Sequence, residues 1–157
     1  MKLVLLWVGK TRDRLWAPAV DEYLGRVRRM ARVEVVELKD RGGAKAESGE
    51  RAVVEREADA LLAAIEVGDF VIVCDERGNE LRSEEFARII SDHQTRGTRR
   101  LVFVVGGYLG VSPRIRERAD ALVALSRMTF THEMARAILA EQLYRALTIV
   151  NGLPYQK

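Results

Sequence analysis

The chain contains little of what builds disulfide-stapled or membrane-spanning proteins. It has 157 residues, with three prolines and one cysteine, Cys74. A single cysteine excludes a disulfide within the chain and is typical of a reducing compartment, so we expect a cytoplasmic protein. No apolar run approaches the roughly 18 residues that suggest a membrane span, which predicts no membrane partner. The apolar start, MKLVLLWVGK, has no small-x-small cleavage site and is interpreted as a first strand.

Signatures of phosphate and dinucleotide binding are also missing. The stretch LVFVVGGYLGVSP, residues 101–113, runs from five apolar residues into a turn with three glycines. These glycines do not fit G-x-G-x-x-G, and no Lys-Ser or Lys-Thr follows as in a P-loop. The turn belongs to neither class, and its glycines need another explanation.

The charge balance gives only a weak signal for an anionic partner. The 26 lysines and arginines exceed the 23 acidic residues, for a net charge of +3. Two basic clusters, RVRRMAR at 26–32 and TRGTRR at 95–100, have a composition that suits phosphate binding. The same clusters fit solvated helix ends, where the helix dipole favours arginine, so both interpretations stand.

What is present is an alternation of buried strands and amphipathic helices. Apolar runs at 3–8, 33–38, 70–74, 101–105 and 121–125 predict strands covered on both faces. Between them, apolar residues recur at helical spacing, as in Trp16, Val20, Tyr23 and Val27, and in Val54, Ala58, Leu61 and Ile65. We predict a single α/β domain over 1–157 with a largely parallel five-stranded sheet, which binds its ligands at the carboxyl ends of the strands.

Two helix starts and one loop are also indicated. Ser83, followed by Glu84 and Glu85, is predicted as an N-cap, and Ser112-Pro113 as a similar start. The segment KDRGGAKAESGE, residues 39–50, is polar and contains glycine, which predicts a mobile loop.

The last helix has two polar residues on its apolar face. At 100° per residue, a core stripe is formed, and His132 and Arg136 extend it toward the helix start. The stripe consists of Leu139, Leu143, Leu147 and Val150. Two interpretations are open: a capping histidine with a snorkelling arginine, or a functional pair that binds an anion or substrate beside the strand ends.

The opposite side of this helix carries Glu141 and Arg145, at the spacing of an ordinary surface ion pair. Met134 and Tyr144 share this side, so the helix has apolar residues on two faces. We interpret the second apolar face as a contact with a partner chain.

Several stretches together resemble one known family along the whole chain. They run from LWVGK and DEYLGR through VFVVGGYLGVSP and LSRMTFTHEMARAILAEQLYRA to the closing NGLPYQK. These are similar to the ribosomal RNA large-subunit methyltransferase H family of the SPOUT superfamily, which methylates N3 of a pseudouridine in 23S ribosomal RNA. The resemblance implies S-adenosylmethionine as cofactor, a homodimer, large-subunit ribosomal RNA in an assembled ribosome as partner, and a trefoil knot in the C-terminal half.

The resemblance also implies where the cofactor binds. The glycine turn after the fourth strand and the loop after the fifth wrap it, and Gly106 lets the backbone approach where a Cβ would collide. The expected cofactor-binding residues are Cys74, Gly106, Leu125, Ser126, Arg127, Met128, Thr129 and Phe130. No metal ligand is implied.

On the substrate side, the resemblance implies Glu141, Arg145 and Tyr155 as catalytic residues contributed across the dimer. Arg145 would hold an RNA phosphate or a base oxygen, and Glu141 would orient it or help with the N3 proton. RNA contacts are expected from His132, Arg136, Gln156 and Lys157.

The chain departs from the family pattern at a few positions. Cys74 replaces a usual leucine, Thr131 replaces a usual proline, and Gln156 stands where the family has histidine. Because glutamine does not carry a proton at neutral pH, the alternative function is an RNA-binding homologue with lost or weakened catalysis. A flavodoxin-like nucleotide-binding domain without an RNA role fits the strand pattern but leaves the C-terminal match unexplained.

Overall fold

Strands and helices alternate along the chain. The computed structural model describes residues 1–39 and 49–155. Its elements are β1 (Lys2–Val8), α1 (Trp16–Arg28), β2 (Arg32–Leu38), α2 (Gly49–Ala64), β3 (Phe70–Glu80), α3 (Ser83–Thr95), β4 (Arg100–Val105), α4 (Pro113–Arg118), β5 (Ala121–Ala124) and α5 (His132–Val150). Most of the predicted loop, residues 40–48, lies outside the described residues, as do Gln156 and Lys157.

The five strands form one parallel sheet in the order β2-β1-β4-β3-β5. Every residue of β4 is buried, and β1 is buried from Leu3 onward. At the edge of the sheet, β2 alternates instead between exposed and half-buried residues. The predicted α/β class and the five-stranded parallel sheet are therefore confirmed.

Helices cover both faces of this sheet. On one face, α1, α3 and α5 pack against side chains that include Leu5, Trp7 and Phe103. On the other face, α2 and α4 pack against side chains that include Leu6 and Val104. A strand covered on both sides needs no polar face, which explains the unbroken apolar runs in the sequence.

Strand β3 is longer than the sequence predicts. The apolar run ends at Cys74, yet the strand continues to Glu80. Cys74 and Asn79 both pair with Val123 of β5, so the residues between them form a bulge. A Cβ on Gly78 would lie 2.6 Å from backbone atoms of β5, so only glycine fits at this crossing. The sequence of the bulge, DERG, is typical of a turn, and this hid the continuation of the strand.

Two helix starts test the capping predictions. Ser112 caps α4 as predicted, because its Oγ accepts a hydrogen bond of 3.1 Å from the Arg114 amide. Ser83 is not the N-cap of α3, because it is already helical and Arg82 holds the cap position. The Glu85 carboxylate accepts a hydrogen bond of 2.7 Å from the Arg82 amide. A first-turn carboxylate thus stabilises this helix start where a serine hydroxyl was predicted.

Both basic clusters lie at the amino ends of the strands. Residues 26–32 join the end of α1 to β2, and residues 95–100 join the end of α3 to β4. Arg99 and Arg100 form ion pairs with Glu66 there. The clusters therefore lie at the sheet edge opposite the one where ligands are expected, which favours the helix-end interpretation.

Candidate cofactor and substrate site

A cavity of about 800 Å³ opens at the carboxyl ends of β4 and β5, beside the bulge in β3. Its walls come from Cys74, Asp75 and Glu76 of β3, the glycine turn after β4, the loop after β5 and the first turn of α5. Parallel α/β sheets bind ligands at this edge, and small-molecule sites typically have volumes of about 300–1,000 Å³. The cavity therefore has the place and the size of a cofactor site.

The cavity brings together all the residues expected around the cofactor except Arg127. Those that line it are Cys74, Gly106, Leu125, Ser126, Met128, Thr129 and Phe130. The Arg127 side chain instead pairs with Glu80 at 3.1 Å and donates a hydrogen bond of 3.2 Å to the carbonyl of Glu76. Arg127 thus ties the loop after β5 to strand β3, and its side chain is not part of the cavity wall. Sequence reasoning also missed Ala135, which lines the cavity from α5.

The glycine turn depends on a close backbone approach within the turn itself. A Cβ on Gly106 would lie 2.8 Å from the carbonyl carbon of Gly110 and 2.9 Å from the Val111 side chain. Gly110 has a φ of 79°, in the left-handed region, and its amide donates a hydrogen bond of 3.0 Å to the carbonyl of Gly107. The packing of the turn therefore requires glycine at 106, a cause that the sequence-based explanation had missed.

The loop after β5 offers unengaged backbone groups to the cavity. Across the described residues, 125–130 contribute nothing to the backbone–backbone hydrogen bonds of turns and loops. The ends of the loop are fixed by side chains: Ser126 Oγ accepts from the Met128 amide at 2.9 Å, and Thr131 Oγ1 accepts from the Met134 amide at 3.4 Å. The amides and carbonyls between these ends are available to a ligand with donors and acceptors along one edge.

Cys74 gives the cavity an uncharged wall. Burial raises the pKa of its thiol to about 12, so the thiol stays protonated at neutral pH. A protonated cysteine behaves as a small apolar side chain, and Leu125 lines the same cavity. An apolar wall beside open backbone groups fits a planar heteroaromatic ring with a polar edge.

His132 and Arg136 have different places in the structure. His132 lines the cavity, and Thr131 is the N-cap of α5, so the capping-histidine interpretation is wrong. Arg136 is 0% exposed. Its Nη2 donates a hydrogen bond of 2.7 Å to the carbonyl of Val8, and its Nη1 donates one of 3.3 Å to the carbonyl of Gly9. Arg136 neither snorkels to solvent nor reaches a surface where RNA could contact it, so that expectation is corrected.

Arg136 instead fastens α5 to the end of β1. Its Nη1 also donates a hydrogen bond of 3.1 Å to Thr11 Oγ1, and its guanidinium carbon lies 5.0 Å from the Trp7 ring centroid. Burial lowers the pKa of Arg136, although an arginine remains charged in proteins. The buried cation is stabilised by the strand-end carbonyls that it satisfies.

Glu133, on the same helix, was missed by sequence reasoning. Its Oε2 accepts hydrogen bonds from the backbone amides of Arg12 at 3.0 Å and Asp13 at 2.7 Å. The loop after β1 is therefore fixed to the first turn of α5. No local spacing links positions so far apart in the chain, so only the fold reveals this contact.

The three expected catalytic residues form one hydrogen-bonded group. Arg145 donates to Oε1 of Glu141 from Nη2 at 2.6 Å and from Nε at 3.1 Å. The Tyr155 hydroxyl donates to the same oxygen at 3.2 Å, and the Arg145 guanidinium lies 4.9 Å from the Tyr155 ring centroid. Burial, together with a hydrogen bond to Tyr23, raises the pKa of Tyr155, so its hydroxyl stays protonated and acts as a donor.

Aromatic rings back this group. The Tyr144 ring centroid lies 4.5 Å from that of Tyr155 and 6.3 Å from that of Tyr23. The Arg26 guanidinium covers Tyr23 at 5.4 Å and Tyr144 at 5.5 Å. Tyr144, predicted to face a partner chain, thus packs at least in part against α1 and the tail of its own chain.

Within one chain, the catalytic group and the cavity are separate. None of Glu141, Arg145 and Tyr155 belongs to the cavity lining as far as residues 1–39 and 49–155 show it. Because an α-helix rises by about 1.5 Å per residue, Glu141 lies about 9 Å and Arg145 about 15 Å along α5 from Ala135.

Within the described ranges, 1–39 and 49–155, the structure has neither a membrane-spanning helix nor a metal-binding cluster. No helix there is long and apolar enough to cross a bilayer. No three His, Cys, Asp or Glu side chains are grouped there in a way that would hold a metal ion.

Two solved structures share this fold. A probable methyltransferase from Bordetella pertussis Tohama I has a TM-score of 0.53 at 13% identity, over 93% of this chain and 95% of that one. A probable methylase family protein from Haemophilus influenzae Rd KW20 has a TM-score of 0.55 at 12% identity, over 99% of this chain and 70% of that one. At such identities the likeness concerns the fold alone.

Sequence comparison identifies the family of this chain more specifically than the likeness of fold does. The family model described as "Predicted SPOUT methyltransferase" matches residues 1–156. The chain is 46% identical over 155 residues to the ribosomal RNA large subunit methyltransferase H of Geobacter sulfurreducens, over 99% of both chains. It is 40% identical over 159 residues to the protein of the same name from Carboxydothermus hydrogenoformans, over 100% of both. This chain belongs to the SPOUT methyltransferase family, whose members use S-adenosylmethionine as methyl donor.

Proposed function

We propose that this chain is a homodimeric methyltransferase that acts on N3 of a pseudouridine in large-subunit ribosomal RNA. The observation that carries the proposal is the agreement between a family match over residues 1–156 and a cavity lined by the residues expected around the cofactor. The name of relatives at 40% and 46% identity supports the ribosomal RNA substrate. The choice of pseudouridine N3, the trefoil knot, the cytoplasmic location and the assembled ribosome as substrate rest on the sequence resemblance.

The cavity suits S-adenosylmethionine. When bound, this cofactor supplies an electrophilic methyl group on a sulfonium sulfur. The neutral Cys74 thiol and the Leu125 side chain would pack against the faces of the adenine ring. Backbone groups of the loop at 125–130, other than the Met128 amide, which already donates to Ser126 Oγ, would pair with its polar edge. The chain thus provides both an apolar wall and a hydrogen-bonding edge for the ring.

The substrate side of the site has to deal with the loss of the N3 proton. N3 of pseudouridine loses its proton when it gains the methyl group, so the site must accept that proton or stabilise the developing anion. Hydrogen bonding to Glu141 raises the pKa of Arg145, so Arg145 is a fixed cation for a base oxygen or a phosphate. Tyr155 keeps its own proton and donates a hydrogen bond to Glu141. Glu141 is then the carboxylate of this group that can receive the N3 proton.

A second copy of the chain completes the site in this proposal. In-line transfer needs reacting atoms about 3–3.5 Å apart. Within one chain Glu141 lies about 9 Å along α5 from the cavity wall. Placing Glu141 and Arg145 of one protomer at the cavity of the other closes this gap, which is the composite site that the resemblance implies.

The alternative is an RNA-binding homologue without methyl transfer, and Gln156 favours it. Gln156 lies outside the described residues, and the preceding Tyr155 contacts Glu141. We propose that Gln156 serves as donor and acceptor toward a flipped base, a role that needs no titrating side chain.

Single-turnover methylation of ribosomes from cells that lack this protein tests the proposal, with the product located by mass mapping of 23S ribosomal RNA. Wild type is expected to add one methyl group to a pseudouridine, and Gln156→His to change the rate only modestly. Deleting residues 155–157 is expected to abolish transfer but to spare binding of S-adenosylmethionine in calorimetry. An inactive wild type that Gln156→His rescues would favour the RNA-binding homologue, and a methyl group on another nucleotide would refute the substrate assignment.

A further inference from the structure

The loop between β1 and α1, residues 9–15, carries exposed cations beside the cavity. Lys10, Arg12 and Arg14 are all exposed. In the described part of the chain, none of these three side chains takes part in a hydrogen bond or an ion pair. In contrast, the exposed Arg114 pairs with Asp59 at 2.7 Å. The loop therefore presents three positive charges that the fold does not use.

The backbone of this loop is held rigidly. Glu133 accepts the amides of Arg12 and Asp13, as described above, and Arg136 holds the carbonyl of Gly9 and the hydroxyl of Thr11. Asp13 Oδ1 additionally accepts from the Leu15 amide at 2.8 Å. These contacts use backbone groups and the side chains of Thr11 and Asp13, so none of them involves a cationic side chain of the loop.

The anchor also sets the position of the loop. Glu133 and Arg136 lie on the first two turns of α5, and His132, the neighbour of Glu133, lines the cavity. The loop that carries the three charges is therefore held by the same helix start that forms part of the cavity wall. A rigid cationic loop next to a cavity suits a polyanion, one part of which enters the cavity while its neighbouring charges are held outside.

We infer that the loop at 9–15 binds the phosphates next to the target nucleotide and positions that nucleotide over the cavity. The inference rests on the proposed function for its choice of RNA as the polyanion. Phosphate contacts fix the orientation of a nucleic acid without selecting its sequence, so the loop contributes affinity and placement. Lys10, Arg12 and Arg14 are positioning residues, and the transfer step itself does not use them.

The chain offers a matched control at the opposite edge of the sheet. Arg29, Arg32 and Arg96 are also exposed, and they lie at the amino ends of the strands. Replacing these three by alanine removes the same charge as replacing Lys10, Arg12 and Arg14. Both triple variants retain the backbone amides that Glu133 anchors.

The test measures binding of each triple variant to large ribosomal subunits over a range of salt concentrations, together with single-turnover methyl transfer and calorimetry with S-adenosylmethionine. For the loop variant we expect at least tenfold weaker subunit binding. Its log–log salt slope should fall by about 0.7–0.9 for each phosphate that the loop no longer neutralises. Its affinity for S-adenosylmethionine should stay near wild type, whereas its transfer rate at saturating subunits should fall, because the target nucleotide is placed less precisely over the cavity. The control variant should bind subunits within about twofold of wild type, because its charges lie far from the cavity.

Equal weakening of binding in the two triple variants, or a loop variant with the affinity and salt slope of wild type, would overturn the inference. If wild type binds subunits through the loop but transfers no methyl group, the proposed function fails and the loop assignment stands. If wild type does not bind subunits at all, both fail. The single variants Arg12→Gln and Arg14→Gln, each expected to lower the salt slope, keep the test valid if a triple variant does not fold.

Discussion

The Tyr155 hydroxyl and the Nη2 of Arg145 both donate to the same oxygen of Glu141, Oε1, at 3.2 Å and 2.6 Å. One carboxylate oxygen thus joins the C-terminal tail to the middle of α5. Its other oxygen accepts from Gln142 at 2.6 Å, so the carboxylate is held at both ends. A change to any member of this group alters the orientation of the rest.

The first prediction separates the hydroxyl of Tyr155 from its ring. Tyr155→Phe keeps the ring against Tyr144 and Arg145 but removes the donor to Glu141. Since a hydrogen bond to a charged group contributes about 1.5–3 kcal/mol, we expect methyl transfer to slow by about ten- to hundredfold, with unchanged binding of S-adenosylmethionine. Tyr155→Ala, which also removes the ring, should be slower still. Single-turnover rates that do not differ between Tyr155→Phe and wild type would contradict this role.

The second prediction tests the composite site by mixing two inactive chains. Ala135→Phe fills the cavity, and Arg145→Ala removes the cation of the substrate side. A heterodimer of the two has one complete composite site, so about half of the wild-type rate per dimer is expected after co-refolding. Inactive heterodimers, with their formation verified by a tag on each chain, would show that each protomer works alone.

The third prediction concerns the buried arginine. Arg136→Met removes the donor to the carbonyls of Val8 and Gly9 and leaves both without a partner. We expect a loss of about 2–4 kcal/mol in the free energy of unfolding, measured by urea denaturation. The control Arg29→Met, on an exposed side chain, should change it by less than about 0.5 kcal/mol. If Arg136→Met has the stability of wild type, these hydrogen bonds contribute nothing measurable to the free energy of unfolding.

The fourth prediction compares two glycines. Gly106→Ala places a Cβ 2.8 Å from the backbone of Gly110, so the turn must shift, and we expect lower thermal stability together with weaker binding of S-adenosylmethionine. Gly25→Ala meets no atom within 4 Å and lies inside α1, where alanine should stabilise the helix by about 0.5–1 kcal/mol. Thermal melts and calorimetry on both variants provide the check. Equal melting temperatures for Gly106→Ala and wild type would show that the turn tolerates a Cβ.

The fifth prediction is a pH dependence of stability. Burial lowers the pKa of His93, whose ring packs 4.1 Å from that of Phe70; Arg96 lowers it further, while Asp92 and Asp120 oppose this effect. The folded protein therefore binds the proton less readily than the unfolded chain, where the pKa is about 6.5. The contribution of neutral His93 is present above about pH 6.5 and is lost as the pH falls toward the lowered folded pKa. In urea unfolding between pH 8 and pH 5, His93→Asn should lose less stability than wild type, and parallel curves would rule out this linkage.

The sequence predicted the centre of the sheet because burial there leaves an unmistakable pattern. Strands β1 and β4 are apolar at nearly every position, and no turn residue interrupts them. The end of β3 was missed because its bulge has the polar composition of a turn, and pairing with Val123 overrides that local preference. At this point the long-range strand pairing, and not the local sequence pattern, determines the structure.

The site was less predictable from the sequence than the centre of the sheet. Periodicity placed His132 and Arg136 on the apolar face of α5, but the carbonyls that bury Arg136 come from the other end of the chain. The expected cofactor residues came from resemblance, which predicts backbone positions, and only the fold shows that the Arg127 side chain pairs with Glu80. In the sequence, the cations of the loop at 9–15 resemble those of any solvated loop. Only the hydrogen bonds to Glu133 show where that loop is held.

The position of β1 between β2 and β4 has a consequence for the order in which the protein folds. Lys2 pairs with Arg32 on one side and with Arg100 on the other, so the first strand to be synthesised keeps one open edge until β4 is made. Such long-range pairing delays folding, and mixed α/β domains rich in it fold more slowly than helical bundles of similar size. During synthesis the apolar edge of β1 is exposed while the next sixty or more residues emerge, about the distance from β2 to β4, and that interval is when a nascent chain is most prone to aggregate.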